Sequence, residues 1–373
     1  MDLTARLDSV VEGAIAEARI VGSVTLVARD GQLVYARAAG WFDREAGIPM
    51  RRDAIFRLAS VTKPMIAATA LAMVERNLLG LDNAVADYLP WFRPRLADGT
   101  APTILIRHLL SHTSGLTYSY PDDPLISTGM NDSDLGYEET FTRIAAFPLA
   151  FAPGAGWTYG VNIDVLGAII AATHGGTLDD ALRHYVTGPL GMADTGFLVT
   201  DESRLAIPYA DGTPPHRMGA EETISDGGGG STTFHPARHF NPRAYQSGGG
   251  GALGTADDLL VFFEALRNGG TGILRPATVE MAVSNQVGDL PRRPQDAGQR
   301  FGFFGAILAD PEAAQSPQAP GTFRWGGVYG HDWSVDPANG LTILSMTNTA
   351  MEGCVGRYPK QVRNAVYGAA PPA

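Results

Sequence analysis

The spacing of apolar and polar residues divides the chain into a strand-rich start, a helical middle and a strand-rich end. Leu3, Leu7, Val10, Val11, Ala14 and Ala18 recur at helical intervals and predict an opening helix over residues 3–20. Runs at 23–28 and 33–38 flank Asp30-Gly31, a dipeptide suited to the left-handed backbone of a tight hairpin, so they predict adjacent antiparallel strands. A short stretch at 56–59 leads into 60–76, where the spacing is helical but the residues are apolar on nearly every side. Such a helix belongs between two layers rather than on a surface.

From residue 81 to about 241, helical patterns at 106–110, 137–146, 161–172 and 178–184 alternate with loops rich in Pro and Gly. The stretch 211–243 holds Pro214, Pro215 and the run Gly227 to Gly230, and reads as a long surface loop. One more helix is expected at 256–267. After Arg300 the pattern turns to strands at 301–308, 322–325, 332–335 and 341–347, with a final helix near 358–367. The expected fold class is α+β. Residues 1–75 and 300–373 contribute to one antiparallel sheet domain flanked by helices, residues 76–299 form an inserted, mostly helical domain, and the active site lies between them. No internal repeat is evident.

Composition narrows the function. With 373 residues and 45% hydrophobic content the chain can bury a sizeable core. Its 39 acidic and 28 basic side chains give a formal charge of -11, and no Lys/Arg run suits a phosphate backbone or an anionic membrane, so neither nucleic acid nor membrane is an expected partner. The opening segment mixes Asp2, Arg6, Asp8, Glu12 and Glu17 and lacks the apolar centre of a secretory signal. The most apolar run, 65–74, is too short to span a bilayer. Cys354 is the single cysteine, so no intramolecular disulfide forms, and a cytoplasmic location is the expectation. Oligomeric state is left open. Of the 28 basic residues only Lys63 and Lys360 are lysines. Lysine can be driven to a neutral amine by its surroundings and arginine cannot, so these two positions invite a chemical question.

Three groups carry candidate chemistry. Ser60-Val61-Thr62-Lys63 fits S-x-x-K at the start of a helix, where residues three apart share a face and the amine can reach the hydroxyl. Taken alone, the same residues also suit an ordinary helix-capping serine followed by an incidental lysine. Tyr159 stands in Gly156-Trp157-Thr158-Tyr159-Gly160-Val161-Asn162, just before an apolar helix, where a phenol near a cation can shuttle a proton between nucleophile and leaving group. Arg324-Trp325-Gly326-Gly327-Val328-Tyr329-Gly330-His331 ends a strand with paired glycines, which permit close approach of a ligand to backbone donors and could supply half an oxyanion hole. His108 and His112, and likewise His235 and His239, have metal-ligand spacing without a convincing third ligand; neither metal nor cofactor is expected. The chain contains no G-x-S-x-G, which removes the usual nucleophile elbow as a competing serine site.

The order and spacing of these groups resemble the class C β-lactamases and, more closely, the family VIII carboxylesterases of the serine β-lactamase and penicillin-binding-protein-like superfamily. Leu58-Ala59-Ser60-Val61-Thr62-Lys63 looks like that family's nucleophile segment, and Ile106 to Leu116 looks like its structural signature. Ser247 to Gly251, followed by Thr255-Ala256-Asp257-Asp258, resembles its Gly-rich turn and helix. The resemblance covers nearly the whole chain. It implies a β-lactamase-like fold and an acyl-enzyme route in which Ser60 attacks a carbonyl, Lys63 and Tyr159 move its proton, and the N–H groups of Ser60 and Val328 hold the oxyanion. Trp325, Gly326, Gly327, Asn162 and His331 are the expected substrate-binding residues.

Two departures separate the branches of that superfamily. The K-T-G lysine that helps hold a substrate carboxylate is replaced by Trp325-Gly326-Gly327, and the usual asparagine two residues after the tyrosine is Val161, with Asn162 one step further. Both fit an esterase for short to medium acyl esters with an aromatic wall facing an uncharged small-molecule substrate. A β-lactamase, a D-amino-acid peptidase or amidase, a transacylase, and a catalytically silent penicillin-binding-like sensor are the alternatives.

Overall fold

A computed structural model describes residues 1–120, 126–199, 201–225 and 230–370. Its centre is an eight-stranded antiparallel sheet in the order Gln299–Phe301, Ala306–Leu308, Phe323–Gly327, His331–Asp336, Leu341–Thr347, Gly22–Arg29, Gln32–Asp43, Ile48–Pro49. The two ends of the chain meet in register inside it, Ser23 opposite Thr347 and Arg29 opposite Leu341. The hairpin at Asp30-Gly31 closes as its residues require, with φ +50° and +80°. Every residue of Leu341–Thr347 is buried, because both sheet faces are covered.

One face packs against the terminal helices Leu3–Ala16 and Arg357–Tyr367, through Leu7, Val11, Val27, Ile343, Tyr358 and Val362. The opposite face, with Val24, Leu26, Leu344 and Met346, joins the main core, which runs on through helix Thr62–Glu75 into the helical region. Thr62 through Met73 are all buried, so the apolar surround read from the sequence is that of a helix between two layers.

Several elements differ from their sequence expectations. The opening helix stops at Ala16, and Ile20 enters the core beyond the turn that follows it. The first hairpin's second strand reaches Asp43, and the run 301–308 is two strands, Gln299–Phe301 and Ala306–Leu308, turned back on each other between Gly302 and Gly305. The stretch 211–243 is not a surface loop. It carries an antiparallel pair, Glu222–Ser225 with Ser231–Phe234, and a 3-10 turn at Pro236–Phe240. Phe234 and Arg238 are buried, Phe234 against Tyr329 and Arg238 on the carbonyl of Tyr245. Gly227 to Gly229 of the glycine run lie outside the described residues.

Candidate active site

Ser60 sits in a 3-10 turn, Ala59–Val61, that runs directly into helix Thr62–Glu75. The turn is held in an unusual shape. Ala59 has φ +46°, a left-handed conformation that costs a residue with a Cβ about 1–2 kcal/mol, and the surrounding structure keeps it there. Leu58 N–H donates to the Ala252 carbonyl at 2.9 Å, where Leu253–Gly254 pairs with Phe56–Arg57. From the other side the end of strand Phe323–Gly327 packs on the turn so closely that a Cβ on Gly327 would stand 2.4 Å from the Leu58 carbonyl oxygen. Among the described residues no hydrogen-bond partner takes the backbone N–H of Ser60 or of Val328.

Lys63 is buried one helical turn on. Its Nζ is 3.1 Å from Ser60 Oγ and donates to the Gly249 carbonyl at 2.5 Å. It also lies over two phenol rings, 4.6 Å from the centre of Tyr159 and 5.5 Å from that of Tyr118. Trp325 completes this group. Its indole N–H donates to Tyr159 Oη at 2.9 Å, and its ring packs on Tyr159 at 5.1 Å and edge-on to Phe301 at 5.3 Å. The tryptophan read from the sequence as an aromatic wall is therefore also a hydrogen-bond donor to the tyrosine oxygen.

The Tyr159 loop is fixed by a buried polar clamp. His112, at φ +57°, lies against the Tyr159 ring with centres 4.6 Å apart. Its Nδ1 faces Gly160 N–H at 3.3 Å and Asn162 Nδ2 at 3.0 Å, so Nδ1 accepts and the ring is neutral. Burial, and then the nearby positive charge of Lys63, hold its pKa well below the usual imidazole range. Thr158 N–H donates to the His112 carbonyl, and Ser114 Oγ donates to Asn162 Oδ1 at 2.5 Å. His108 is likewise engaged locally, its Nδ1 accepting from Leu105 N–H.

Two expected substrate-binding residues do other work. Asn162 has no solvent exposure, and its amide is divided among Ser114, His112 and the Leu116 carbonyl, which leaves nothing to offer a substrate. His331 is buried with Nε2 2.8 Å from the Arg57 carbonyl, and Phe56 stands edge-on to its ring; it braces the strand leading to Ser60 instead of lining the site. Burial pushes its pKa down to about 4. Gly326 also faces inward, because a Cβ there would lie 2.9 Å from Cys354 Sγ. Ser60, Lys63, Tyr159 and Trp325 are joined by direct contacts, Gly327 packs on the turn that holds Ser60, and Val328 packs on the cluster that contains Ala59. A separate cavity of about 120 Å³ touches Ser247 and Gly251 but none of these six.

The β-lactamase family model matches residues 7–364. The chain belongs to that family. Esterase EstB of Burkholderia gladioli is 47% identical over 375 residues, spanning 98% of this chain and 95% of that protein. The solved structure of EstCE1, a hydrolase with promiscuous acyltransferase activity, matches with a TM-score of 0.92 and 44% identity over 98% of both chains. A monacolin J acid methylbutanoyltransferase of Aspergillus terreus is 27% identical over 382 residues, covering 91% of this chain and 89% of that enzyme. The family and the fold agree with the expectation drawn from S-x-x-K, the tyrosine and the Gly-Gly strand. What sequence reading missed are Tyr118, whose ring reaches Lys63, and Asp164, buried behind Gly249. The signal for both was slight, a tyrosine after the 106–116 signature and an acidic residue in an otherwise apolar helix.

Among the described residues no helix is long and apolar enough to cross a membrane.

Proposed function

We propose that this enzyme is a serine carboxylesterase acting on short to medium acyl esters through an acyl-enzyme on Ser60. The observation that carries the reading is the continuous contact from Ser60 Oγ to Lys63 Nζ to the Tyr159 ring, with Trp325 donating to the phenol oxygen. In the proposed mechanism Ser60 Oγ attacks the ester carbonyl while its proton passes to the Lys63 and Tyr159 pair. The negative charge that develops on the carbonyl oxygen falls between the N–H groups of Ser60 and Val328. The proton is then returned to the departing alkoxide, and water repeats the sequence on the acyl-enzyme. The 47% identity to an enzyme named as an esterase supports the same reaction class here.

The sheet formed by the two chain ends and the inserted helical region are proposed as the two units that meet at this site. A cytoplasmic location is proposed on the single cysteine. Acyl transfer to an alcohol is the second reading, favoured by the acyltransferase activity named for EstCE1, and it differs only in what resolves the acyl-enzyme.

One preparation assayed on aryl esters of increasing acyl length, a chromogenic cephalosporin and a D-alanyl anilide tests the proposal. The best short-chain ester should exceed the cephalosporin in kcat/KM by a wide margin, and a phosphonate should label Ser60 by mass spectrometry. Equal or better turnover of the cephalosporin, or labelling elsewhere, refutes it. Added alcohol that diverts product from acid to a new ester identifies the transferase reading.

A further inference from the structure

Gly249, whose carbonyl accepts from Lys63, is held through its own N–H by an acid. Gly249 N–H donates to Oδ1 of Asp164 at 3.1 Å, and the same oxygen accepts from Ser247 Oγ at 2.5 Å. Asp164 lies in the first turn of helix Asn162–His174 with no solvent exposure, and its Oδ2 has no hydrogen-bond partner among the described residues. The surrounding chain leaves room for nothing larger than glycine. A Cβ on Gly249 would stand 2.1 Å from Oδ2, and one on Gly129 would stand 2.3 Å from Ser247 Oγ and 3.2 Å from Asp164 Oδ1.

Burial pushes the pKa of this carboxyl group above the usual carboxylate range, and with one oxygen unsatisfied its ionised form is costly unless opposite charge faces it. Two cations do. Lys63 comes from helix Thr62–Glu75, and Arg238 comes from the 3-10 turn at Pro236–Phe240. Arg238 is already engaged with the carbonyls of Asn131 and Tyr245. The remaining titratable neighbours are the phenols of Tyr118, Tyr137 and Tyr245, whose pKa values burial holds above the usual phenol range. On its other sides Lys63 meets the rings of Tyr118 and Tyr159, and its charge is felt by the buried His112. Asp164 is thus the acid that faces the lysine, one peptide unit away.

We propose that Asp164 is a positioning residue for Lys63: its carboxylate holds the Gly249 backbone under the amine and places a negative charge one residue away from it. The inference rests on the proposed role of Lys63 as proton acceptor. It adds a determinant of the pH at which the enzyme works and of the alignment of the amine with Ser60.

Asp164→Asn keeps the shape and leaves an oxygen for Gly249 N–H and Ser247 Oγ, but removes the charge. Without the facing anion the protonated amine is less favoured, so the acid limb of the kcat/KM profile on an aryl butyrate should move to lower pH by about one unit. On the plateau kcat should fall while KM stays within about twofold, because the amine becomes a weaker base and no substrate contact is lost. Ser247→Ala retains the carboxylate and should leave the limb in place. A lowered kcat with the limb unmoved in Asp164→Asn would mean that the residue only supports the fold, and overturns the proposal. If that variant is not recovered folded, Asp164→Glu decides: with the charge kept, kcat should fall and the limb should stay, and a displaced limb overturns the proposal. Ser60→Ala and Lys63→Ala, assayed alongside, test the esterase mechanism itself, so failure of either reading is recognised separately.

Discussion

Replacing Trp325 by phenylalanine isolates one atom of the site. The indole N–H is 2.9 Å from Tyr159 Oη, while the ring's packing on Tyr159 and Phe301 uses faces and edges that phenylalanine also has. A hydrogen bond to a neutral phenol contributes about 1 kcal/mol net, and one to an oxygen bearing negative charge contributes about 1.5–3 kcal/mol. If the Tyr159 oxygen gains negative charge in the transition state, as it does on passing its own proton on, only the difference between those two strengths is catalytic. That difference, about 0.5–2 kcal/mol, corresponds to a fall of about 2- to 30-fold in kcat. KM should change little, since the donor is directed at the enzyme's own tyrosine and not at the substrate. The assay is steady-state hydrolysis of a short-chain aryl ester, with thermal unfolding of both proteins to confirm an intact fold. A variant whose kcat stays within about twofold while KM rises several-fold would show that Trp325 acts only as a wall for the substrate, and would refute the reasoning.

Other substitutions probe the remaining parts. Lys63→Arg should be nearly as inactive as Lys63→Ala, because the guanidinium keeps the charge but does not yield a proton; retention of most activity by the arginine variant would leave Lys63 a purely electrostatic role. Asn162→Ala takes away the acceptor of Ser114 Oγ and one of the two donors to His112 Nδ1 and should cost about 1–3 kcal/mol in urea unfolding, together with activity, as the Tyr159 loop loses part of its clamp; an unchanged midpoint contradicts this. His331, at about 4 in the fold against 6.5 when exposed, binds fewer protons folded than unfolded between those values. Stability therefore rises with pH across that window. Acidification from pH 6.5 to 4 should remove about 3 kcal/mol through this residue, and unfolding of His331→Gln measured over the same range should show a shallower slope.

Local patterns carried much of this architecture because they record short-range constraints. Asp30-Gly31 demands its turn whatever surrounds it, and three-residue spacing alone puts Ser60 and Lys63 on one face. The errors arose where the deciding partner is far along the chain. Asn162 was read as a displaced substrate ligand, and what claims it is Ser114, 48 residues earlier. Residues 211–243 look like loop by their prolines and glycines, yet Phe234 is buried because Tyr329 comes to meet it from the sheet. Glycines 302 and 305 were available as signs that the run 301–308 must fold back, but without the partner strand the apolar residues read as continuous. Asp164 shows the same limit at the site: one acid in an apolar helix has no meaning until Gly249 is laid against it.

The exchange of a family lysine for Trp325 also bears on why esters suit this site better than amides. A cation near the tyrosine oxygen can bind a substrate carboxylate and share a proton with the leaving group. The indole can do neither, since it holds a neutral N–H that is already given to Tyr159 Oη. With its single donor spent in this way, the indole has no proton to lend a departing amine. An alkoxide or phenoxide leaves with little protonation, whereas an amide nitrogen must be protonated before the bond breaks. The absence of a proton-sharing cation therefore hinders departure chiefly for the amide. Asn162, which stands near the place of the superfamily's substrate-contacting asparagine, is closed off inside the clamp and offers the amide no compensation.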